Sequence, residues 1–302
     1  MSTTTASFLL LLLLSWWSLV ITASPLQVGY PSSISLTSRS SNSRKVPPLG
    51  FYDPRDHGGN WLTVLNNTFP AGLGEPINVI LLGTSDSAVL IDQQVDGGLR
   101  NYFLSIGFAG ECLGQHSGSD QAANLGDGRG YQNETAVMRW NYGDPALGTC
   151  KETVLGGNHF RYWAQTGSEA NSGAVFMAAS YELPEKFSHD IVVNGYNLGR
   201  DWLIGNATAQ STLIPTTSLT NATTYSGQTS YGGYVYQSDV QYLSGYLVNG
   251  SDGINHYLSV GVNGTNAVDG LVALLNVKLL TTPSGSPKPS SSCVAFFSFL
   301  GG

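Results

Sequence analysis

Charge is scarce in this sequence. Only 11% of its 302 residues are Asp, Glu, Lys or Arg, and 13 of them are basic. That excludes the dense Lys/Arg surface by which nucleic acids and anionic membranes are recognised. The shortage deepens beyond the N-terminal stretch. Arg39, Arg44 and Lys45 precede Val46, leaving 10 basic against 20 acidic residues after it, a net of −10. Cysteine is rarer still, with three residues and no Cys-x-x-Cys, which argues against a metal or nucleophilic role for the thiols. Also absent are the G-x-S-x-G elbow, H-E-x-x-H, the Walker loop and EF-hand spacing. No repeat of fixed period is visible, which excludes propellers and solenoids. What remains is 41% hydrophobic with 37 glycines, a globular composition with enough material for a full core.

The two ends carry processing signals. Residues 1–23 contain no charged side chain and have an apolar centre of 14 residues, Phe8 to Ile21, too short to span a bilayer comfortably. With Ala23 at a cleavage point, this reads as a secretory signal peptide. Residues 24–48 are Ser-rich and end in Pro47-Pro48, a linker or arm in which Arg44-Lys45 offers a dibasic processing site. At the other end, residues 281–302 form a Pro/Ser-rich tail closed by a short apolar stretch from Cys293. A GPI anchor needs a longer apolar end, so surface attachment is the less favoured alternative to free secretion. Six N-x-S/T acceptors, Asn66, Asn133, Asn206, Asn221, Asn249 and Asn263, agree with an extracellular glycoprotein, as does a Cys112–Cys150 disulfide with Cys293 left free or removed.

Between these ends, residues 49–280 predict one α+β domain with a mixed, mostly antiparallel sheet and few helices. Ile77 to Leu82 is a short apolar strand. Leu99, Tyr102, Phe103 and Ile106 follow helical spacing, with Gly107 as a terminator. Thr135 to Tyr142, Asn158 to Ala164 and Tyr234 to Leu243 alternate as strands, Ala174 to Ala179 is apolar throughout, and Leu271 to Leu280 closes the sheet. Tyr196 to Gly205 is expected to be a short helix. Tyr225, Tyr231, Tyr234, Tyr236, Tyr242 and Tyr246 read as core or edge-strand residues before they read as a sugar-stacking platform.

Few polar residues stand out as chemistry. The run Gly114 to Asp120 places Ser, His and Asp in one loop, but triad members meet in space and not within a few residues, so it is taken as a glycine-rich loop. Asp127-Gly128-Arg129-Gly130 is taken as a turn and not a calcium site. His159 and Arg161 share one strand face, His189-Asp190 follows the next strand, and Arg200-Asp201 lies on a helix with Leu203 and Ile204 beside the guanidinium. An arginine on an apolar face must snorkel or find a partner, with Asp190, Asp201 or a bound anion as candidates. Two alternatives stay open. The six residues form a structural ion-pair network, or they line a pocket that binds metal through His159 and His189 or an anion through Arg161 and Arg200.

The order of these segments is similar to the LssY C-terminal domain family. Pro76 to Gly83 and Gly107-Phe108 resemble its opening, and His159-Phe160-Arg161-Tyr162-Trp163 resembles its His-x-Arg-x-Trp strand. Phe176 to Tyr181, then His189 and Arg200-Asp201, look like its apolar strand, Thr-His step and Arg-Asp helix, and Val268 to Val272 looks like its closing Asp-Gly strand. Ser188 replaces the usual Thr, and Asn194 and Asn197 stand where relatives tend to carry acids. Phe51 to Pro54 and Gly157 to Trp163 also resemble segments of secreted proteins of mushroom-forming fungi. The resemblance implies no particular reaction or cofactor. The bacterial domain is often joined to lipid-phosphatase-like membrane segments, which implies envelope or phosphate-related work by association. The expectation is an extracellular module that binds a cell-envelope or cell-wall ligand through the His/Arg pocket. The alternatives are a phosphoester hydrolase using the same residues and a carbohydrate binder using the tyrosines.

Overall fold

The structure, a computed structural model, describes residues 44–116, 119–210, 213–262 and 264–283. The expected signal peptide, most of the arm, Asn263, nearly all of the tail and Cys293 lie outside the described residues. In chain order the strands and helices are β1 (Val64–Leu65), β2 (Val79–Leu81), α1 (Leu99–Ser105), β3 (Phe108–Gly110), β4 (Gln121–Asn124), β5 (Tyr131–Asn133), β6 (Ala136–Trp140), α2 (Gly148–Leu155), β7 (Gly157–Ala164), β8 (Val175–Glu182), α3 (Gly195–Ala207), β9 (Thr224–Tyr231), β10 (Tyr234–Leu243), α4 (Tyr257–Val260) and β11 (Val272–Thr281). This is the expected α+β domain. An eight-stranded sheet runs β3-β6-β7-β8-β2-β11-β10-β9, and β1-β4-β5 form a small second sheet. In the large sheet only β2–β11 pair in parallel.

Both faces of the large sheet are covered, so its central strands are apolar on both sides. One face presents Phe160, Tyr162, Met177, Ala179, Tyr236 and Leu275 to α1 and to Leu203, Ile204 and Ala207 of α3. The other presents Trp163, Phe176, Ala178, Ile80 and Leu274 to Phe51, Trp61 and Leu247. Glycine sets how closely α3 approaches. A Cβ on Gly199 would stand 2.5 Å from Ser180 Cα, so only glycine lets this turn lie directly on β8. Among the tyrosines, Tyr236 and Tyr242 are fully buried in the first face, while Tyr225 and Tyr234 pack against it.

Several expected segments match observed elements: β10 spans its expected residues, α1 ends before Gly107 at φ 84°, and β7, β8, α3 and β11 lie within a few residues of expectation. The Cys112–Cys150 disulfide is formed. The α2 helix and β9 lacked a sequence pattern. The α2 segment has no apolar stripe, and β9 is an edge strand of Ser, Thr, Gln and Gly between Tyr225 and Tyr231. Among the described acceptor asparagines, Asn66, Asn133, Asn221 and Asn249 are exposed. Asn206 differs: it sits in α3, half-buried, with its amide nitrogen shielded from solvent.

Candidate functional site

Three strands bring one row of polar side chains onto the Trp163 face. Arg139 on β6 is opposite His159 on β7, which is opposite Ser180 on β8. Strand periodicity puts Arg161 next to His159 on that face and Glu182 next to Ser180. Glu182 is registered opposite Gly157, and the space above that glycine is taken by α2: a Cβ there would meet Glu152 Cγ at 2.9 Å. The chain after β8 turns back at once. Leu183 N–H donates to Asp190 O, Val192 N–H donates to Tyr181 O, and Ser188 and His189 both take left-handed backbone at φ 58° and 53°. That conformation costs a non-glycine residue about 1–2 kcal/mol, and it is the local feature that folds His189 over Glu182.

The result is a centre of two imidazoles and three carboxylates around one guanidinium. Arg139 Nη1 lies 3.0 Å from Glu152 Oε2 and 3.4 Å from Glu182 Oε2, while its Nη2 lies 3.4 Å from Glu111 Oε1. His159 Nε2 is 3.5 Å from Glu182 Oε1 and 3.3 Å from Ser180 Oγ, and His189 Nδ1 is 3.5 Å from Glu182 Oε2. His159 and Glu152 are 2% and 0% exposed, whereas the side chain of His189 is 28% exposed and meets solvent at the edge of the centre.

Burial and charge pull these groups apart. Burial pushes the Glu152 carboxyl up to about 7 against the pull of Arg139. Burial pushes His159 down to about 4 in spite of Glu182, so its imidazole is neutral with a lone pair free to act as a ligand. For Glu182 burial also pushes upward, but His159, His189 and Arg139 outweigh it and hold the carboxyl down at about 2. The contact with Glu182 raises His189.

Unpaired polar atoms gather here. Among the described residues, nine buried side-chain polar atoms lack a hydrogen-bond partner, and six lie on this face or beside it: Glu75 Oε2, Arg139 Nε, Glu152 Oε1, His159 Nδ1, Arg161 Nε and His189 Nδ1. Buried polar groups are almost always satisfied, so this concentration singles out the centre from the rest of the fold.

Of the six residues expected in one pocket, the structure brings His159 and His189 together through Glu182 and leaves the others apart. Arg161 shares the face but is bound to Glu134, whose other oxygen accepts from Gln121 N–H. Asp190 turns to a neighbouring cavity of about 480 Å³, where His256 Nδ1 lies 2.6 Å away and Ser259 Oγ donates at 3.1 Å. There the hydroxyl and the imidazole bind the same carboxylate, which is not the order of a serine relay. Arg200 and Asp201 lie on the α3 face beside Tyr242, bound to each other and to Asp269. They take no part in the His159 centre. Glu152, Glu182, Arg139, Glu111 and Glu75 were not singled out from the sequence. For Glu182 there was a signal, since alternation from Ala178 through Ser180 carries the same face onward. For Glu152, in a helix without an apolar stripe, there was none.

A cavity of about 750 Å³ reaches this centre at Glu111 and is lined by His116, Asp120 and Glu134 among others. His116, in the Ser/His/Asp loop, pairs with Glu111 at 2.8 Å and Asp120 at 3.2 Å, while Ser117 and Gly118 lie outside the described residues. The Asp127 segment is a turn in which the carboxylate accepts from the Arg129, Thr166 and Gly167 amides. Comparison with protein-family models, curated proteins and solved structures finds no match for this chain.

Proposed function

We propose that this protein is an extracellular binding module, related to the LssY C-terminal domain, whose cell-envelope or cell-wall ligand engages the His159–Glu182–His189 centre. One observation carries the reading: unsatisfied buried polar atoms concentrate around a centre that reaches solvent through His189. The signal peptide, the four exposed acceptor asparagines and the Cys112–Cys150 bridge support an extracellular setting. An anion bound by arginines has less support, because Arg139, Arg161 and Arg200 are each engaged by carboxylates. The same fact weakens the phosphoester hydrolase alternative, which needs free cations for its substrate. Sugar stacking is weakened by the burial of Tyr236 and Tyr242.

The test is co-sedimentation of the purified full-length secreted protein with insoluble cell-wall polysaccharide. Retention by the wild type and its loss in His189→Ala is the expected result. No retention, or equal retention of the variant, overturns the reading. Turnover of a generic phosphoester by the wild type, abolished in a folded His159→Ala variant, replaces it with the hydrolase.

A further inference from the structure

We propose that Glu152, His159 and Glu182, with His189 at the entrance, form a binding site for one divalent transition-metal ion of the zinc class. The inference rests on the binding-centre reading and names what that centre takes first. Glu152, His159 and Glu182 each offer one donor atom, and these atoms lie within 4.8 Å of one another. The separations point to a shared ion. Both imidazole-to-carboxylate contacts are 3.5 Å, longer than a charge-assisted hydrogen bond. Ligands at about 2.0 Å on a tetrahedral ion stand roughly 3.3 Å from each other, so His159 Nε2 and Glu182 Oε1 already have nearly the spacing of co-ligands.

Two further observations agree. Glu152 is wholly buried and its Oε1 has no partner, because Arg139 occupies Oε2. Arg139 likewise faces Oε2 of Glu182 and leaves Oε1 toward His159. The donor chemistry chooses among cations. Imidazole with carboxylate suits zinc and its neighbours, whereas calcium requires six to eight oxygens.

The site differs from the other three-donor group, His116, Asp120 and Glu134, which is largely exposed and in which His116 is already paired on both nitrogens. That group serves as the control.

The experiment uses the full-length secreted protein without a histidine tag, stripped with chelator and titrated with zinc against a colorimetric competitor. One equivalent bound is the expected result. Glu152→Gln and His159→Gln each weaken it at least tenfold, and His116→Ala leaves it unchanged. Because the buried variants can fail to fold, His189→Ala and the zinc dependence of the wild-type melting temperature provide a second readout: the midpoint rises with zinc and not with magnesium. No stoichiometric zinc, or zinc retained undiminished in folded Glu152→Gln and His159→Gln, overturns the site. If zinc does not bind while His189→Ala still abolishes retention on polysaccharide, the metal site is wrong and the binding module stands. If zinc binds as expected but polysaccharide does not, the reverse holds.

Discussion

Arg200 shows what a single buried charge demands. Its five N–H donors are all used: Nε and Nη2 on Asp201, Nη1 and Nη2 on Asp269, and Nη1 again on Leu271 O, with the Tyr242 ring 5.2 Å away. Opposed carboxylates raise its pKa further despite burial, so the guanidinium stays charged. No donor is left for an anion, which is why this arginine is a strut and not a ligand-binding group. Arg200→Met strands Asp201 and Asp269 and is expected to cost about 3–5 kcal/mol, read as a shift in the urea midpoint. Zinc affinity of any folded fraction stays at the wild-type value. An unchanged midpoint would mean the cluster contributes nothing. Of its two carboxylate partners only Asp201 was among the candidates the sequence offered, beside Asp190 and a bound anion. Asp269 is 69 residues away, and proximity across that distance exists only in the fold.

At the scale of elements, α3 and β10 carry distinct expectations. Gly199→Ala drives a methyl into the Ser180 backbone of β8 and is expected to destabilise by about 1–3 kcal/mol, measured by denaturant unfolding. Because Ser180 neighbours His159, the same change disturbs the centre from behind. Strand β10 sets the alkaline limit. Burial pushes Tyr236 up to about 12 against its hydrogen bond with Asn101, and burial raises Tyr242 and Tyr102 as well. A tyrosine whose folded pKa exceeds its unfolded value of 10.0 stabilises the fold fully below that pH. The contribution is lost as pH rises through the folded value. Stability is therefore expected to fall between pH 10 and about 12, and to fall less steeply in Tyr236→Phe. A wild-type-minus-Tyr236→Phe difference in tyrosinate absorbance that appears at the ordinary tyrosine midpoint while the chain remains folded would contradict this.

For the whole molecule, the Cys112–Cys150 disulfide joins two parts of the centre. Cys112 follows Glu111, and Cys150 lies two residues before Glu152 on α2, so the bridge holds both carboxylates against Arg139. A closed loop of 38 residues is worth about 4 kcal/mol in the chain-entropy account. The double Cys112→Ser, Cys150→Ser variant is expected to lose up to that much, and also to bind zinc more weakly, because α2 has no apolar stripe to hold it in place alone. Calorimetric melting together with zinc competition checks both effects. Lower stability with unchanged zinc affinity would separate the bridge from the centre.

Local pattern was enough to locate most of the large sheet, helices α1 and α3, and the disulfide partners. Alternation and helical spacing are properties of neighbouring residues, and the apolar strands had nowhere to lie except between two covering layers. It also placed His159 and Arg161 on one face. Pattern could not say which residues meet them. Strand register put Arg139 and Ser180 in line with His159, the turn through Ser188 and His189 returned an imidazole to Glu182, and α2 delivered Glu152 from a segment without periodicity. The same tertiary choices sent Arg200 and Asp201 to the opposite face, because residues near each other in the fold are far apart in the chain and a sheet has two sides.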